Sequence, residues 1–167
     1  EDNELVYMAQ KASSETFIIQ SLKDSTKIAD QGYNSGFYAD GSYLDHSHVP
    51  YIGSYGIEFL KGGAGMPPLF AGTPWEYPRE VQENLEFYLK EGFLNGMYDG
   101  LMLDSLKGRS VSRPAGSNRD SGREAMVLMI QLMDSVSPEV QEELKSSLKA
   151  WMEIDPGFIK TVSYTHL

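Results

Sequence analysis

A histidine and a tyrosine lie nine residues apart in a segment whose Gly and Pro residues argue against a regular helix or strand. The segment runs from Asp40 to Gly56, reads DGSYLDHSHVPYIGSYG, and contains His46 and Tyr55 as the pair. A tyrosine hydroxyl can remove or return a proton, but its ordinary pKa is about 10. It needs a positive charge or a hydrogen-bond donor beside the phenolate, which arginine and histidine supply. The pair is a hypothesis for proton abstraction, and the alternative is an aromatic surface loop.

The same segment suggests a metal site, since Asp45, His46 and His48 all carry metal-binding side chains. Neighbouring residues of one loop rarely converge on a single ion, and no supporting pattern of ligands accompanies them. We therefore predict no metal and no cofactor.

Two arginines, Arg109 and Arg113, lie four residues apart in the segment GRSVSR. A helical turn would place them on one face, and a loop could still bring them together. Guanidinium groups bind carboxylates through paired hydrogen bonds. The arginines are therefore predicted to bind an anion, and the alternative is that they form ion pairs that hold helices together.

Composition limits the classes of partner. The formal net charge of −10 argues against generic binding to nucleic acid or to an anionic membrane. The charge is uneven, because one segment is mostly basic: Lys107, Arg109, Arg113, Arg119 and Arg123 with the single acid Asp120. This basic cluster can bind an anionic ligand, and the alternative is a solvated loop. The chain has no cysteine, which excludes disulfides and thiol chemistry, and no apolar run of about 18 residues.

Helices must position these residues, because no run of alternating apolar and polar residues predicts a strand. The spacing of apolar residues predicts helices over residues 4–29, 79–93, 97–106, 123–136 and 138–154. Loops of about 15 residues or more in a compact domain are usually functional. We predict an all-α domain whose long loops carry the site.

Both ends of the sequence indicate an incomplete chain. It begins at Glu1, without an initiator Met and in a segment predicted to be helical. Residues 162–167 read VSYTHL, which matches the translation of a transposon adapter used in sequencing libraries. We predict a domain fragment over residues 1–161 and an artefact over 162–167, which is excluded from fold reasoning. The alternative for the tail is a genuine C-terminus.

The two segments together resemble polysaccharide lyase family 8, which contains hyaluronate, chondroitin AC and xanthan lyases. Residues 36–56, GFYADGSYLDHSHVPYIGSYG, are similar to the family's catalytic stretch, in which a His precedes a Tyr by nine residues. Residues 108–113 are similar to its Gly-Arg-x-x-Ser-Arg block, and Arg109 follows Tyr55 by 54 residues, as the family's spacing requires. The resemblance spans residues 3–159 and is weak outside the two blocks.

The resemblance implies a fold and a location. The family's catalytic domain is an incomplete (α/α) toroid followed by β-sandwich domains. This chain is expected to be the later half of the toroid, so the first half and the β-sandwich domains would be absent parts of the same protein. A bacterial enzyme of this kind is expected to be extracellular, periplasmic or on the cell surface.

The resemblance also implies a reaction, cleavage of the bond to a uronic acid by β-elimination. Hydrogen bonds that neutralise the uronate carboxylate stabilise the carbanion-like intermediate formed when the C5 proton leaves. By the family's motifs, His46 assists that neutralisation, Tyr55 acts as base and then as acid, and Arg109 stabilises Tyr55 and contacts the sugar. Arg113 is expected to bind the substrate, an anionic polysaccharide, together with Arg109.

Two further residues follow less directly from the resemblance. The family neutralises the carboxylate with an Asn that starts a helix. Asn3 fits if the connector before Gly36 is short, and otherwise this Asn lies upstream of Glu1. Trp75, in the Gly- and Pro-rich loop 62–78, is a candidate for stacking on a sugar, and the alternative is that it packs the loop.

We therefore predict a secreted bacterial polysaccharide lyase that acts on hyaluronan or chondroitin. The alternatives are a non-catalytic carbohydrate-binding helical domain and a truncated, inactive lyase fragment. His46 and Tyr55 favour an enzyme, because a binding module does not need a proton-transfer pair. The isolated fragment is expected to be inactive, because half of its cleft would be missing.

Overall fold

The structure is a computed structural model that describes residues 2–20, 35–46, 48–63 and 65–158. Most of these residues are helical. The α-helices found there are α1 (Asp2–Ser14), α2 (Ile57–Gly63), α3 (Met66–Phe70), α4 (Arg79–Phe87), α5 (Asn118–Leu132) and α6 (Pro138–Ile154). Two π-helical turns, Ile52–Gly56 and Tyr88–Leu94, and three 3₁₀ segments, Asp104–Leu106, Gly108–Ser112 and Met133–Ser135, join them. Among the described helices, none has the length and apolar character that a membrane crossing requires.

Short strands accompany the helices. One sheet has the order β1 (Ile19–Gln20), β2 (Gly36–Tyr38), β3 (Tyr43–Asp45) and β4 (Val49–Pro50). β1 and β2 are parallel, and the other two pairs are antiparallel. A separate antiparallel hairpin is formed by β5 (Met97–Tyr98) and β6 (Leu101–Met102). The expectation of no strands is wrong, because strands of two or three residues are too short to show an alternating pattern.

The predicted helix over residues 97–106 is also wrong, because a tight turn divides this segment. Asp99 and Gly100 both have a positive φ, of 51° and 72°. A two-residue Asp-Gly turn of this kind favours a hairpin between the flanking strands. Gly122 of α5 packs against the turn, where a Cβ would collide with the Gly100 carbonyl oxygen. Glycine at position 122 therefore lets α5 approach the hairpin closely, and glycine at position 100 suits the positive φ of the turn.

α1 ends at Ser14, so the single helix predicted over residues 4–29 is wrong. Ser13 Oγ donates a hydrogen bond to the Ala9 carbonyl oxygen at 2.8 Å, and Ser14 Oγ donates to that of Lys11 at 2.8 Å. Such local side-chain bonds compete with the main-chain bonds of a helix. After α1 the chain turns into β1, and much of the predicted helix beyond β1 lies outside the described residues.

The last two helices, α5 and α6, agree better with the ranges predicted from the sequence. α5 begins five residues before the predicted Arg123, because Ser117 and Asp120 form a capping box. The Ser117 hydroxyl oxygen accepts the Asp120 N–H at 3.1 Å, and the Ser117 N–H donates to Asp120 Oδ2 at 3.0 Å. α6 covers its predicted residues and has Pro138 in its first turn, where the missing N–H costs nothing.

An aromatic cluster joins the small sheet to the helices. Phe37 of β2 stacks on Tyr88 with ring centroids 4.1 Å apart and lies 6.0 Å from the ring of Phe93. Both partners are fully buried, and burial raises the pKa of Tyr88. Fully burying such a side chain stabilises a fold by about 1.5–3 kcal/mol. Tyr51 and Ile52 belong to the same core, so it anchors the π-helical turn that carries the predicted catalytic tyrosine.

Candidate active site

His46 lies in the turn between β3 and β4. Its φ of 47° falls in the left-handed region, which is uncommon for residues other than glycine. Asp45 stabilises this turn, because its Oδ1 accepts the His46 backbone N–H at 2.6 Å and lies 3.0 Å from His46 Nδ1. The His46 side chain is still 44% exposed. One ring nitrogen is therefore held by the protein, while the ring remains accessible.

Tyr55 lies in the π-helical turn Ile52–Gly56 and is half-buried. Such turns depart from regular helical spacing and are frequent at functional sites. The rings of Tyr55 and His46 have centroids 4.7 Å apart and planes tilted by 36°. Tyr51 packs edge-on against Tyr55 at 5.0 Å. The two residue types that the sequence separates by nine positions are therefore in contact.

Arg109 reaches this pair from the 3₁₀ segment that precedes α5. Its Nη2 donates a hydrogen bond to the Tyr55 hydroxyl oxygen at 3.0 Å, and its backbone N–H donates to the Tyr51 hydroxyl oxygen at 3.0 Å. Next to it, Ser110 Oγ lies 3.2 Å from Ser54 Oγ. These contacts hold the arginine segment against the turn that carries Tyr55.

Gly108 makes this close approach possible. Its φ is 51°, and a Cβ at this position would overlap the ring of Tyr51. A larger residue would push the chain away from Tyr51 and take Arg109 with it. The close packing of the GRSVSR segment against Tyr51 therefore requires glycine at position 108.

Lys107, predicted as a member of the anion-binding basic cluster, is not available to a ligand. It is only 2% exposed, and its Nζ donates hydrogen bonds to the Gly116 carbonyl oxygen at 2.8 Å and to Asn118 Oδ1 at 2.7 Å. The bonds cross the base of the loop that follows the 3₁₀ segment. Lys107 therefore has a structural role, which is a correction to the sequence-based expectation.

Arg119 and Arg123 also serve the fold. Arg123 forms a two-pronged ion pair with Asp155, at 2.6 Å from Nε and 2.7 Å from Nη2, and Arg119 Nη1 lies 3.4 Å from the same carboxylate. These bonds, chiefly that from Arg123, lower the pKa of Asp155 to about 2. The role of holding helices together, which was the alternative for Arg109 and Arg113, belongs to this pair.

Arg109 and Arg113 are the exposed remainder of the basic cluster. Neither forms an ion pair with any residue that the structure describes. Arg113 follows the 3₁₀ segment, and no hydrogen bond between described residues links its side chain to Tyr55. The structure thus brings Arg109 to the tyrosine and leaves Arg113 on the adjacent surface.

Two other predicted site residues lie elsewhere. Asn3 is exposed in the first turn of α1, and no hydrogen bond within the described ranges joins it to His46 or Tyr55. Trp75 is half-buried, packs against the hydrophobic core, and donates its backbone N–H to Thr73 Oγ1 at 3.2 Å. This packing agrees with the alternative for Trp75. The role of Asn3 stays a prediction.

Two residues that shape the site had no such role in the sequence analysis. Asp45 was considered only as a metal ligand, and it holds His46. The available signal was an Asp directly before His46 in a turn, since Asp side chains accept nearby backbone N–H groups. Tyr51 had no role, and its partner Arg109 lies 58 residues later. No local pattern reports a contact across that separation.

The arrangement can move a proton near an anion. A guanidinium beside the Tyr55 oxygen stabilises a negative charge there, as general base chemistry by a tyrosine requires. The exposed arginines can attract an anionic group to the same surface. No group of three or more potential metal ligands is found in the part of the chain that the structure describes.

Known proteins share both the sequence and the fold. Residues 8–150 match the family model described as polysaccharide lyase family 8, N terminal alpha-helical domain. The hyaluronate lyase HylA of Cutibacterium acnes is 37% identical over 137 residues, which cover 80% of this chain and 16% of that protein. The chain spans about 15% of the length of the curated relatives that it matches.

Solved structures of polysaccharide lyases share the fold of this chain. The chondroitin AC lyase of Streptomyces coelicolor, in complex with chondroitin sulphate, is 27% identical with a TM-score of 0.74 over 88% of this chain and 20% of that chain. A Paenibacillus xanthan lyase, 23% identical, shares the fold with a TM-score of 0.79 over 92% of this chain and 14% of its own. The predicted fold class, part of the α-helical domain of such lyases, is confirmed.

Proposed function

This chain belongs to polysaccharide lyase family 8, and from that premise we propose that the complete protein containing it, the parent protein, is a polysaccharide lyase for hyaluronan or chondroitin. The observation that carries the proposal is the contact of Tyr55 with both His46 and Arg109. Three separate segments supply these side chains: the β3–β4 turn, the π-helical turn and the 3₁₀ segment. Their convergence supports a site for proton transfer beside an anion.

Substrate binding begins with the exposed arginines. A uronic acid polymer carries a carboxylate on each uronate, and a guanidinium binds a carboxylate through paired hydrogen bonds. Arg109 and Arg113 supply such groups on one surface. The rest of the protein is acidic, so a polyanion is attracted to this surface and repelled elsewhere. Arg109 then also places the sugar beside Tyr55.

The proposed elimination uses Tyr55 twice. Its phenolate oxygen, stabilised by Arg109 Nη2, removes the C5 proton of the uronate. The electron pair left at C5 is shared with the carboxylate and then forms a C4–C5 double bond as the C4–O bond breaks. The Tyr55 hydroxyl returns its proton to the leaving oxygen. The products are one chain with a new hydroxyl group and one that ends in an unsaturated uronate.

His46 is proposed to stabilise the intermediate. Charge accumulates on the uronate carboxylate when the C5 proton leaves, and a hydrogen bond to that carboxylate lowers the barrier. The accessible His46 ring, 4.7 Å from the Tyr55 ring by centroids, is near enough to serve the same sugar. An Asn, either Asn3 or one outside this chain, is proposed as the second donor to the carboxylate.

The test is incubation of the parent protein with hyaluronan, chondroitin sulfate and xanthan in separate reactions. We expect ultraviolet absorbance of an unsaturated uronate to rise with hyaluronan or chondroitin sulfate, and product masses that show elimination without added water. Binding without product would support the non-catalytic carbohydrate-binding domain. A product that has gained water would identify a hydrolase, and activity on xanthan alone would contradict the proposed substrate.

Two further proposals use the same assay. We expect no product from the isolated chain, because it spans a small part of the lyases that it resembles. Product from the isolated chain would contradict this expectation.

We also propose that the parent protein acts outside the cytoplasm, where polysaccharides of this kind are found. Activity in the cell-free culture medium or periplasmic extract supports this location, and activity confined to the cytoplasm contradicts it.

A further inference from the structure

Asp45 contacts His46 at two places with a single oxygen. Its Oδ1 accepts the backbone N–H at 2.6 Å and lies 3.0 Å from Nδ1. The Asp45 side chain is 16% exposed and the His46 side chain 44% exposed. An ionised carboxylate can only accept hydrogen bonds. The contact therefore assigns a hydrogen to Nδ1 and fixes the orientation of the ring.

Among the described residues, the groups that face His46 come from three segments. Asp45 lies on its own turn, and the rings of Tyr51, directly before the π-helical turn, and of Tyr55, on that turn, lie 5.5 and 4.7 Å away, measured between centroids. Arg109 approaches through the Tyr55 hydroxyl, to which it donates. No hydrogen bond between described residues joins His46 to that hydroxyl. Within the described ranges no hydrogen bond uses the second ring nitrogen, Nε2, and this is the nitrogen that we assign to a ligand.

The state of Nε2 decides what His46 can do. In a neutral ring with its hydrogen on Nδ1, Nε2 carries a lone pair and can only accept. It would then repel a uronate carboxylate, which also only accepts. In the imidazolium form both nitrogens donate. A hydrogen bond from His46 to the carboxylate therefore requires the charged ring.

We infer that Asp45 is a positioning residue that holds His46 as an imidazolium between two carboxylates, its own and that of the bound uronate. Nδ1–H donates to Asp45 and Nε2–H donates to the substrate. This inference rests on the proposed function and adds to it a protonation state and a residue. Where His46 is neutral before binding, it takes up one proton from solvent when the uronate binds.

The pH dependence of the parent protein tests this inference. Asp45→Asn keeps an oxygen for the backbone N–H and removes the negative charge, so the imidazolium loses the charge that stabilises it. We expect the limb of the kcat/KM profile that reports His46 to move to lower pH, and kcat at neutral pH to fall at least about tenfold. Asp45→Glu, which restores the charge, should recover part of the activity and of the wild-type profile.

The matched control is Asp40→Asn in the preceding turn. The Asp40 carboxylate also accepts a backbone N–H, that of Ser42 at 3.0 Å, and lies at the edge of the same sheet, in the connection between β2 and β3. We expect its pH profile to match that of the wild type.

If Asp45→Asn does not fold, as judged by its melting temperature, Asp45→Ser removes the charge while keeping an acceptor for the turn. A pH profile of the folded charge-removing variant in which neither limb has moved overturns the inference.

Proton uptake gives a second readout that does not depend on turnover. The Tyr55→Phe parent protein is titrated with a hyaluronan oligosaccharide by calorimetry in two buffers of different ionisation enthalpy. We expect net proton uptake within a window of pH, and we expect that window to move to lower pH when Asp45→Asn is added. The same pH dependence of uptake with and without Asp45 overturns the inference. Failure of the wild-type parent protein to form unsaturated product would instead overturn the proposed function, so the two failures are distinguishable.

Discussion

At the scale of single residues, the two proton-active side chains of the site have different partners. The Tyr55 hydroxyl oxygen accepts from Arg109, and His46 Nδ1 contacts Asp45. In the proposed reaction, a cation therefore lies beside the group that would bear negative charge, and an anion lies beside the group that would bear positive charge. This opposite pairing explains how neighbouring rings can serve one reaction in different roles.

Arg109→Lys tests the first pairing. Lysine keeps the positive charge but lacks the planar fork and the reach of a guanidinium, so the Tyr55 oxygen loses its donor. We expect kcat of the parent protein to fall about 100-fold, as for the loss of one stabilising donor. The measurement is the initial rate of unsaturated product. Arg79→Lys is the control, because Arg79 is 89% exposed and pairs with Glu83 on α4. Equal loss in both variants would show that the effect is not specific to the site.

Residue types and spacing suggested His46 and Tyr55 as a pair, and only the resemblance to polysaccharide lyase family 8 placed Arg109 beside Tyr55. The same evidence could not separate Lys107 from the exposed arginines. Its burial depends on two acceptors, one of them the backbone oxygen of Gly116, that only the folded loop supplies. A lysine in a basic segment is otherwise expected at the surface.

At the scale of elements, the helices form the frame and short irregular pieces form the site. The β3–β4 turn, the π-helical turn Ile52–Gly56 and the 3₁₀ segment Gly108–Ser112 each supply one side chain. Long amphipathic helices such as α6 could be predicted from their period. The strands, the hairpin at Asp99 and the end of α1 could not, because two-residue strands and local serine bonds leave no periodic signal.

Lys107→Met tests how the arginine segment is held. The variant leaves the Gly116 carbonyl and Asn118 Oδ1 without their donor, which we expect to cost about 1–3 kcal/mol of unfolding free energy. Loosening of the loop should increase tryptic cleavage after Arg109 while the far-ultraviolet circular dichroism stays unchanged. The control is Lys149→Met, which removes an exposed lysine of α6. Equal cleavage rates in the two variants would contradict the role of Lys107.

At the scale of the whole molecule, the arginines of the basic cluster are divided between ion pairs that join helices and exposed side chains. Arg119 and Arg123 hold Asp155, which follows α6, and so tie the end of that helix to α5. Arg109 and Arg113 remain exposed in a protein of net charge −10. A sequence shows the number of basic residues but not this division, because the ion pairs of Arg119 and Arg123 with Asp155 join positions that are at least 32 residues apart.

The Asp155 ion pair predicts how stability depends on pH. The pKa of Asp155 is lowered from 3.8 to about 2, chiefly by Arg123. Its contribution is therefore fully present above about pH 4 and is lost as the pH falls toward 2. Urea unfolding of the chain between these values should show a loss of stability that is smaller in Asp155→Asn, which is also less stable at neutral pH. Asp134→Asn serves as the control, and an equal acid sensitivity in Asp155→Asn and wild type would contradict the assignment.

The most direct test of the central claim is the rate of unsaturated uronate formation by the parent protein and its Tyr55→Phe variant. Phenylalanine keeps the ring that packs on His46 and Tyr51 and removes only the oxygen that Arg109 binds. Tyr7→Phe, on an exposed face of α1, controls for the loss of a hydroxyl. We predict at least about 100-fold lower kcat for Tyr55→Phe and an unchanged rate for Tyr7→Phe. Undiminished elimination by Tyr55→Phe would contradict the assignment of Tyr55 as base and acid.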